Sequence, residues 1–185
     1  MKFPIGIQDF KKIREGGFVY VDKTALLYKL ANEGTIYFLS RPRRFGKSLL
    51  VSTLKYYFGG ERELFNGLAI DALEKDWNSY PIFHVDFNST NYTKSGDALS
   101  KLIKGTVEDW ERQYGYVGNE EFDYGKRFAE LLKHVHATTG KRCVVLVDEY
   151  DKPLLDVLDS GMVEQGGDGK EMLLEDINRE ILKGF

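Results

Sequence analysis

Thr35-Ile-Tyr-Phe-Leu-Ser40 runs directly into Arg41-Pro-Arg-Arg-Phe-Gly-Lys47-Ser48, and the segment SLLVSTLKYYF (48–58) follows. The first run is short, apolar and rich in residues that favour strands, so it predicts a buried strand. The segment 48–58 repeats its apolar residues at helical spacing and ends at Gly59 and Gly60. The stretch therefore predicts a strand, a basic turn containing a glycine, and a helix.

The turn matches three of the four fixed positions of the Walker A pattern G-x-x-x-x-G-K-[ST]. Gly46, Lys47 and Ser48 fill the last three positions, whereas Arg41 stands where the first glycine is expected. Backbone N–H groups at a helix start bind anions, and glycine lets the backbone approach a phosphate closely. We expect Lys47 to contact the β- and γ-phosphates of a nucleotide and the Ser48 hydroxyl to bind Mg²⁺.

The residues predicted to bind the nucleotide cofactor are Arg43, Arg44, Phe45, Gly46, Lys47, Ser48 and Leu49. Arg43 and Arg44 have a second interpretation, as solvated side chains or partners of acidic groups in the same domain. The whole motif has an alternative too, since a basic surface turn contains Gly-Lys-Ser by chance in many proteins.

A second apolar run, Val144-Val145-Leu146-Val147, ends in Asp148 and Glu149. A run that is apolar on both faces is typical of a central parallel strand covered by helices. Carboxylates at the end of such a strand resemble a Walker B site, so Asp148 is predicted to hold Mg²⁺ together with Ser48. Glu149 is predicted to act as general base on water, which makes Glu149 and Lys47 the candidate catalytic residues. The alternative is a strand that ends in two solvated acids.

The remaining segments alternate between helix and strand. The sequence predicts helices over 23–33, 97–114, 126–139 and 170–185, and a further strand over 80–88. This alternation favours an α/β fold, a three-layer P-loop NTPase with a mainly parallel sheet and helices on both faces. We expect one domain over 1–185, with an N-terminal segment and helix (1–34) and a nucleotide-binding core (35–185). Asp86, at the end of the second strand, is expected either to contact the site or to cap a turn with Asn88 and Ser89.

Composition narrows the function classes. The chain is 42% hydrophobic and 30% charged, with a net charge of −3, so nucleic acid is not attracted by the chain as a whole. A single cysteine, Cys143, rules out an intrachain disulfide and fits a reducing, cytoplasmic location. No run is long and apolar enough for a membrane span, and the three histidines lack the spacing of a metal site.

Three segments carry a resemblance to a known family: PIGIQDFKKIREGGFVYVDKT, YFLSRPRRFGKSLL and VVLVDEYDKPLLD. They resemble the predicted AAA-ATPase-like family of bacterial proteins, in which a glycine at the Arg41 position is typically missing. The resemblance implies ATP as nucleotide and Mg²⁺ as metal. It also implies a further strand with a polar sensor residue and, in many members, a C-terminal domain similar to PD-(D/E)XK nucleases. Both would follow Phe185, so we expect the fold to be C-terminally incomplete.

The sequence is compatible with two functions. The first is an ATPase or an ATP-dependent switch. The second is a degenerate P-loop module that binds nucleic acid or protein without hydrolysis, through the stretch 41–47 with Lys11, Lys12 and Arg14. A nuclease within this chain is disfavoured, because the acid-x-lysine spacings at 9–11 and 168–170 do not end an apolar strand. A small-molecule kinase would need an arginine-rich lid that is not evident, and the oligomeric state is open.

Overall fold

The computed structural model describes residues 2–40, 45–165, 169 and 171–185, which form a mixed α/β fold. Its helices are α1 (Phe10–Glu15), α2 (Thr24–Glu33), α3 (Lys47–Phe58), α4 (Ala69–Leu73), α5 (Ala98–Gln113), α6 (Tyr124–Thr139), α7 (Lys152–Leu155) and α8 (Leu174–Gly184). Its strands are β1 (Ile82–Asp86), β2 (Val144–Asp148), β3 (Val163–Gln165) and β4 (Glu171–Leu173). Short 3₁₀ turns lie at Arg62–Phe65 and Phe87–Ser89.

The chain divides into two compact units. One runs up to His84 and includes Val144–Leu146, and the other comprises Val85–Cys143 and Val147–Phe185. β1 and β2 pair in a small parallel sheet, and β3 and β4 pair in an antiparallel hairpin. The prediction of one domain over 1–185 stays a prediction. None of the helices in the described part of the chain has the length and apolarity required to cross a membrane.

The core of the first unit forms between α1, α2, α3 and the turn that follows α3. Six buried residues make up this cluster: Phe10, Leu27, Tyr57, Leu64, Phe65 and Ile70. The Phe10 ring lies 4.8 Å from the Phe65 ring, between centroids. Burial of several large side chains in one cluster is the main source of stability in such a unit. It fixes α3, the helix that follows the candidate loop.

Helix α2 follows its predicted bounds within one residue. The N-cap residue is Lys23, and the carboxylate of Asp22 before it accepts hydrogen bonds from the Thr24 N–H at 2.8 Å and the Thr24 hydroxyl at 2.7 Å. Leu27 is buried, whereas its neighbour Leu26 is exposed. Adjacent helical residues lie about 100° apart, so a narrow core face takes one of the two.

The core of the second unit forms between α5 and α6, and both predicted helices are confirmed. Buried residues repeat at helical spacing along each: Leu99, Ile103, Val107 and Trp110 on α5, and Phe128, Leu131 and Val135 on α6. Arg127 on α6 donates two hydrogen bonds to the Glu111 carboxylate on α5. Both partners of this ion pair are largely buried, so removing one would leave an uncompensated charge.

The prediction of a buried strand over 35–40 is wrong. No strand forms there, and Ile36 and Phe38 are 92% and 72% exposed. Strand β2 also differs from the prediction, because Val145 and Val147 are exposed whereas Leu146 is buried. An apolar run becomes a buried strand only where neighbouring strands and covering helices are supplied. Among the described residues β2 pairs only with β1, so the larger sheet of a three-layer fold is not seen.

The C-terminal segment is part strand and part helix, where a helix was predicted over 170–185. Glu171–Leu173 pair with Val163–Gln165 as β4 and β3, and α8 begins only at Leu174. Residues 171–173 pair in the β3–β4 hairpin and are therefore not part of α8. Between the two strands, Gly166 and Gly167 lie outside the described residues, and Gly169 has the positive φ (79°) that glycine adopts readily.

Candidate functional site

The start of α3 is an open helix N-terminus. Gly46 is its N-cap residue in the left-handed conformation (φ 76°, ψ 25°), and its carbonyl accepts the first helical hydrogen bond, from the Leu50 N–H at 3.0 Å. Among the residues that the structure describes, no side chain caps this end, and no acidic residue lies in the first turn. The first N–H groups of a helix have no partner within the helix and carry partial positive charge. This end of α3 therefore suits an anion.

The requirement for glycine at position 46 comes from the backbone. A Cβ atom built there would meet nothing within 4 Å, so space does not exclude a side chain. A left-handed φ is costly for a residue with a Cβ atom and nearly free for glycine. The sequence prediction that Gly46 shapes the loop thus has a conformational basis.

The predicted ligand residues after Gly46 differ in what they offer. Lys47 and Ser48 are both partly exposed. Leu49 packs against the core cluster, which leaves its backbone N–H as the group available to a ligand. Phe45 is 63% exposed. Arg43 and Arg44, like Arg41, lie outside the described residues.

Helix α3 is held by hydrogen bonds to the start of α1. The Phe10 N–H donates to Ser52 Oγ at 2.9 Å, and the Tyr56 hydroxyl donates to the Asp9 carboxylate at 2.9 Å. Asp9 also caps α1 by accepting from the Lys12 N–H at 2.8 Å. Partial burial tends to raise the pKa of Asp9, but these hydrogen bonds outweigh it and lower that pKa. Burial and the Asp9 carboxylate raise the pKa of Tyr56 to about 12.

The acidic end of β2 combines a buried carboxylate with a strained backbone. Asp148 is 8% exposed, and one of its carboxylate oxygens accepts from the Glu149 N–H at 3.0 Å. Glu149 is partly exposed and has a φ of 52°, in the left-handed region that non-glycine residues rarely enter. Such outliers cluster at functional sites, where the surrounding structure maintains them.

The turn after Glu149 is closed by α7. The Lys152 N–H donates to the Glu149 carbonyl at 3.0 Å, and Pro153 occupies the first turn of α7. The Lys152 amine pairs with the Asp156 carboxylate and lies 5.8 Å from the centroid of the Tyr92 ring. Sequence analysis missed the role of Lys152 in this turn. The signal was available, since Lys152 and Asp156 have the i,i+4 spacing of helical ion pairs.

Tyr92 lies next to the ion pair between Lys152 and Asp156. It is fully buried, and its hydroxyl donates to the Phe87 carbonyl at 2.8 Å. Burial, with a smaller contribution from the negative charges of Asp156 and Asp86, raises the pKa of the Tyr92 hydroxyl. Tyr92 therefore acts as a neutral donor in this arrangement.

Asp86 caps a turn, which is one of the two roles that the sequence left open. Its carboxylate accepts from the Asn88 N–H at 2.8 Å, and its carbonyl accepts from the Ser89 hydroxyl at 2.9 Å. These are the residues named for the capping role.

The described residues of the predicted site belong to two elements. Gly46 and the first residues of α3 belong to the first unit, whereas Asp148, the last residue of β2, and Glu149, which follows it, belong to the second. That they meet around one ligand stays a prediction. The donor chemistry fits ATP–Mg²⁺: N–H groups and an amine suit phosphate, and hydroxyl and carboxylate oxygens suit Mg²⁺. No cluster of three or more His, Cys, Asp or Glu side chains suited to a metal exists within the described ranges.

A basic helix start with Gly-Lys-Ser, combined with an acidic strand end, characterises the class of ATPase-type nucleotide-binding proteins. The family model described as Predicted AAA-ATPase matches residues 4–174. The chain therefore belongs to the predicted AAA-ATPase family, which implies nucleotide binding in general terms.

One curated relative shows how the chain relates to longer proteins. An uncharacterized protein in the vnfD 5′ region of Azotobacter chroococcum mcd 1 is 44% identical over 159 residues. The match covers 85% of this chain but 30% of that relative, so the chain spans less than a third of its length. No solved structure matches the chain.

Proposed function

We propose that this chain binds ATP together with Mg²⁺ and acts as an ATPase or an ATP-dependent switch. The observation that carries the proposal is the start of α3, where left-handed Gly46 precedes Lys47 and Ser48 and no side chain within the described ranges caps the helix. Family membership supports the same conclusion in general terms.

On this proposal the start of α3 binds the phosphates. The free N–H groups of the first turn donate to phosphate oxygens, and the helix dipole favours their negative charge. The Lys47 amine adds a full positive charge beside the terminal phosphates. The Ser48 hydroxyl supplies one oxygen ligand for the metal.

The acidic end of β2 supplies the remaining groups. The Asp148 carboxylate has one oxygen occupied by the Glu149 N–H, and this bond orients it for the metal. Glu149 holds a water by hydrogen bonding and accepts its proton as general base. When bound, Mg²⁺ neutralises phosphate charge and so favours attack by water.

The proposal extends to the fold and the wider protein. The parallel pairing of β1 with β2 supports a three-layer P-loop arrangement with a larger sheet. A nuclease-like C-terminal domain and a cytoplasmic location remain proposals from the sequence, as does any activity of a longer protein.

Calorimetric titration with ATP and Mg²⁺ tests the proposal. Wild-type protein should bind, and Lys47→Ala should abolish detectable binding because the amine that faces the phosphates is lost. Lys55→Ala is the matched control, since Lys55 is an exposed lysine in the last turn of the same helix. If folded wild-type protein shows no affinity for ATP down to the millimolar range, the proposal is wrong.

The alternative of a nucleic-acid-binding module receives less support from the structure. Arg14 donates to the carbonyls of Leu64 and Asn66, both at 2.7 Å, and Lys11 pairs with Glu61 at 2.9 Å. Two of the three N-terminal cations assigned to nucleic acid are thus engaged within the first unit. A salt-dependent gel shift in the absence of nucleotide would favour this alternative.

A further inference from the structure

Asn178 is a buried amide on α8. It is 1% exposed, and its side-chain Nδ2 donates to the Pro153 carbonyl on α7 at 2.8 Å. Leu174, one turn earlier on the same helix, is also buried. Asn178 therefore occupies a position on the core-facing side of α8 where an apolar residue is the ordinary choice.

The side-chain oxygen of Asn178 also bears on why asparagine occupies this position. Asn178 Oδ1 is buried and has no hydrogen-bond partner in the part of the chain that the structure describes. A buried acceptor without a partner destabilises the fold, and a leucine of similar size would avoid the loss. The amide therefore carries a cost in stability, and among the described residues its side chain bonds to Pro153 alone.

The hydrogen bond from Asn178 to Pro153 is connected to Glu149 through helix α7. Pro153 lies in the first turn of α7, whose Lys152 N–H donates to the Glu149 carbonyl. The Lys152 amine is in turn fixed by Asp156. The hydrogen bond from Asn178 on α8 therefore holds α7 in place, and α7 is the short helix that closes the turn after Glu149.

Glu149 needs such support because its backbone is in an unfavourable region. With φ at 52°, the residue would relax to a right-handed or extended conformation if the turn were loosened. A different φ would redirect its side chain. A helix of four residues, such as α7, has few hydrogen bonds of its own to prevent this.

We propose that Asn178 is a positioning residue for ATP hydrolysis. Through the Pro153 carbonyl and α7, it keeps Glu149 in the left-handed conformation that aims its carboxylate at water. This inference rests on the proposed function, with Glu149 as general base. Asn178 itself does not touch the nucleotide.

The test separates binding from turnover. Asn178→Leu keeps the branched shape and the number of heavy atoms but removes the donor to Pro153, so we expect kcat to fall about tenfold, as for a displaced catalytic group. The dissociation constant for ATP should stay within about twofold, because the groups at the start of α3 are unchanged. Turnover is expressed per ATP-binding site, measured by calorimetry, so that unfolded protein does not contribute.

The matched control is Val107→Ala in the core of the same unit. Val107 is fully buried, so its truncation destabilises that unit while leaving Asn178 and Pro153 in place. We expect its turnover per site to remain at the wild-type value. Should Asn178→Leu fail to fold, Asn178→Ala serves instead, because it removes the donor to the Pro153 carbonyl without adding volume to the core.

Each outcome decides the inference. A wild-type kcat per site in the Asn178 variant overturns it while leaving the proposed function intact. An equal loss in Val107→Ala also overturns it, since the effect would then follow from destabilisation alone. If wild-type protein binds no ATP, the proposed function fails first and this inference fails with it.

Discussion

Gly46 and Glu149 both have a positive φ, each at the end of a different element. Gly46 precedes α3 with a φ of 76°, and Glu149 follows β2 with a φ of 52°. Glycine adopts this conformation at almost no cost, whereas an ordinary residue gives up roughly 1–2 kcal/mol. Gly46 and Glu149 therefore share a positive φ, but this φ is strained at Glu149 and unstrained at Gly46.

The difference indicates which part of each residue matters. At position 46 a side chain is dispensable, and the backbone must turn so that the N–H groups of α3 face a ligand. At position 149 the chain tolerates strain in order to place a carboxylate where a glycine or asparagine would be more stable. Strain maintained at a polar residue is a better indication of chemistry than polarity alone.

The largest expected effect concerns the side chain of Glu149. Glu149→Gln keeps size and strain but removes the base, so ATP turnover should fall by roughly 10²–10⁴-fold. Binding of ATP should be unchanged. Steady-state phosphate release together with calorimetry measures both quantities, and turnover that persists would exclude Glu149 as the base.

The next effect concerns the backbone at Gly46. Gly46→Ala should weaken ATP binding by about tenfold, because alanine resists the left-handed φ by roughly 1–2 kcal/mol. Gly105→Ala in α5 is the matched control. A Cβ atom meets nothing within 4 Å at either position, but Gly105 lies inside a helix, where alanine is favourable. Equal affinities in the two variants would show that the conformation of Gly46 is unimportant.

The strain at Glu149 predicts a smaller, opposite effect on stability. Glu149→Asn should raise the free energy of unfolding by up to about 1 kcal/mol, since asparagine tolerates the left-handed region. In a chain of this size that corresponds to a rise in Tm of about 2–4 °C. Glu149→Gln should leave the Tm unchanged, so thermal unfolding of the two variants separates strain from chemistry. A lower Tm for the asparagine variant would argue against strain.

The smallest effect concerns the support of α3 by Asp9. Because hydrogen bonds lower the folded-state pKa of Asp9 below its ordinary value of 3.8, its contribution to stability is present above that value. The contribution is lost as the pH falls through the lowered folded-state pKa. Asp9→Ala should therefore lower the urea midpoint at neutral pH by a modest amount. The gap to wild type should close in acid, and a gap that is independent of pH would mean that the carboxylate charge is irrelevant.

The sequence predicted the long helices of this fold well and the sheet poorly. α3, α5 and α6 were predicted within two residues, because helical periodicity and terminal glycines are local signals. The strand predicted over 35–40 did not form, and the exposed Val145 and Val147 were expected to be buried. Burial of a strand depends on partners far away in the chain, which a local pattern does not contain.

The candidate site divides in a similar way. Gly46, Lys47, Ser48, Asp148 and Glu149 follow from spacing and residue type, because the chemistry of phosphate and Mg²⁺ restricts both. The left-handed Glu149 and its link to Asn178 could not be predicted, since both depend on tertiary contacts. A weak signal existed at Asn178, a single amide among the apolar residues Leu174, Ile177 and Ile181 of α8.

The central claim is that the start of α3 and the end of β2 hold one ATP–Mg²⁺ together. The most direct measurement is the gain in ATP affinity on adding Mg²⁺, by calorimetry, in wild-type protein and in Asp148→Asn. We predict that Mg²⁺ strengthens ATP binding to the wild-type protein and that this gain disappears in the variant, while binding of metal-free ATP is retained. An identical gain in both proteins, or none in the wild type, would contradict the claim.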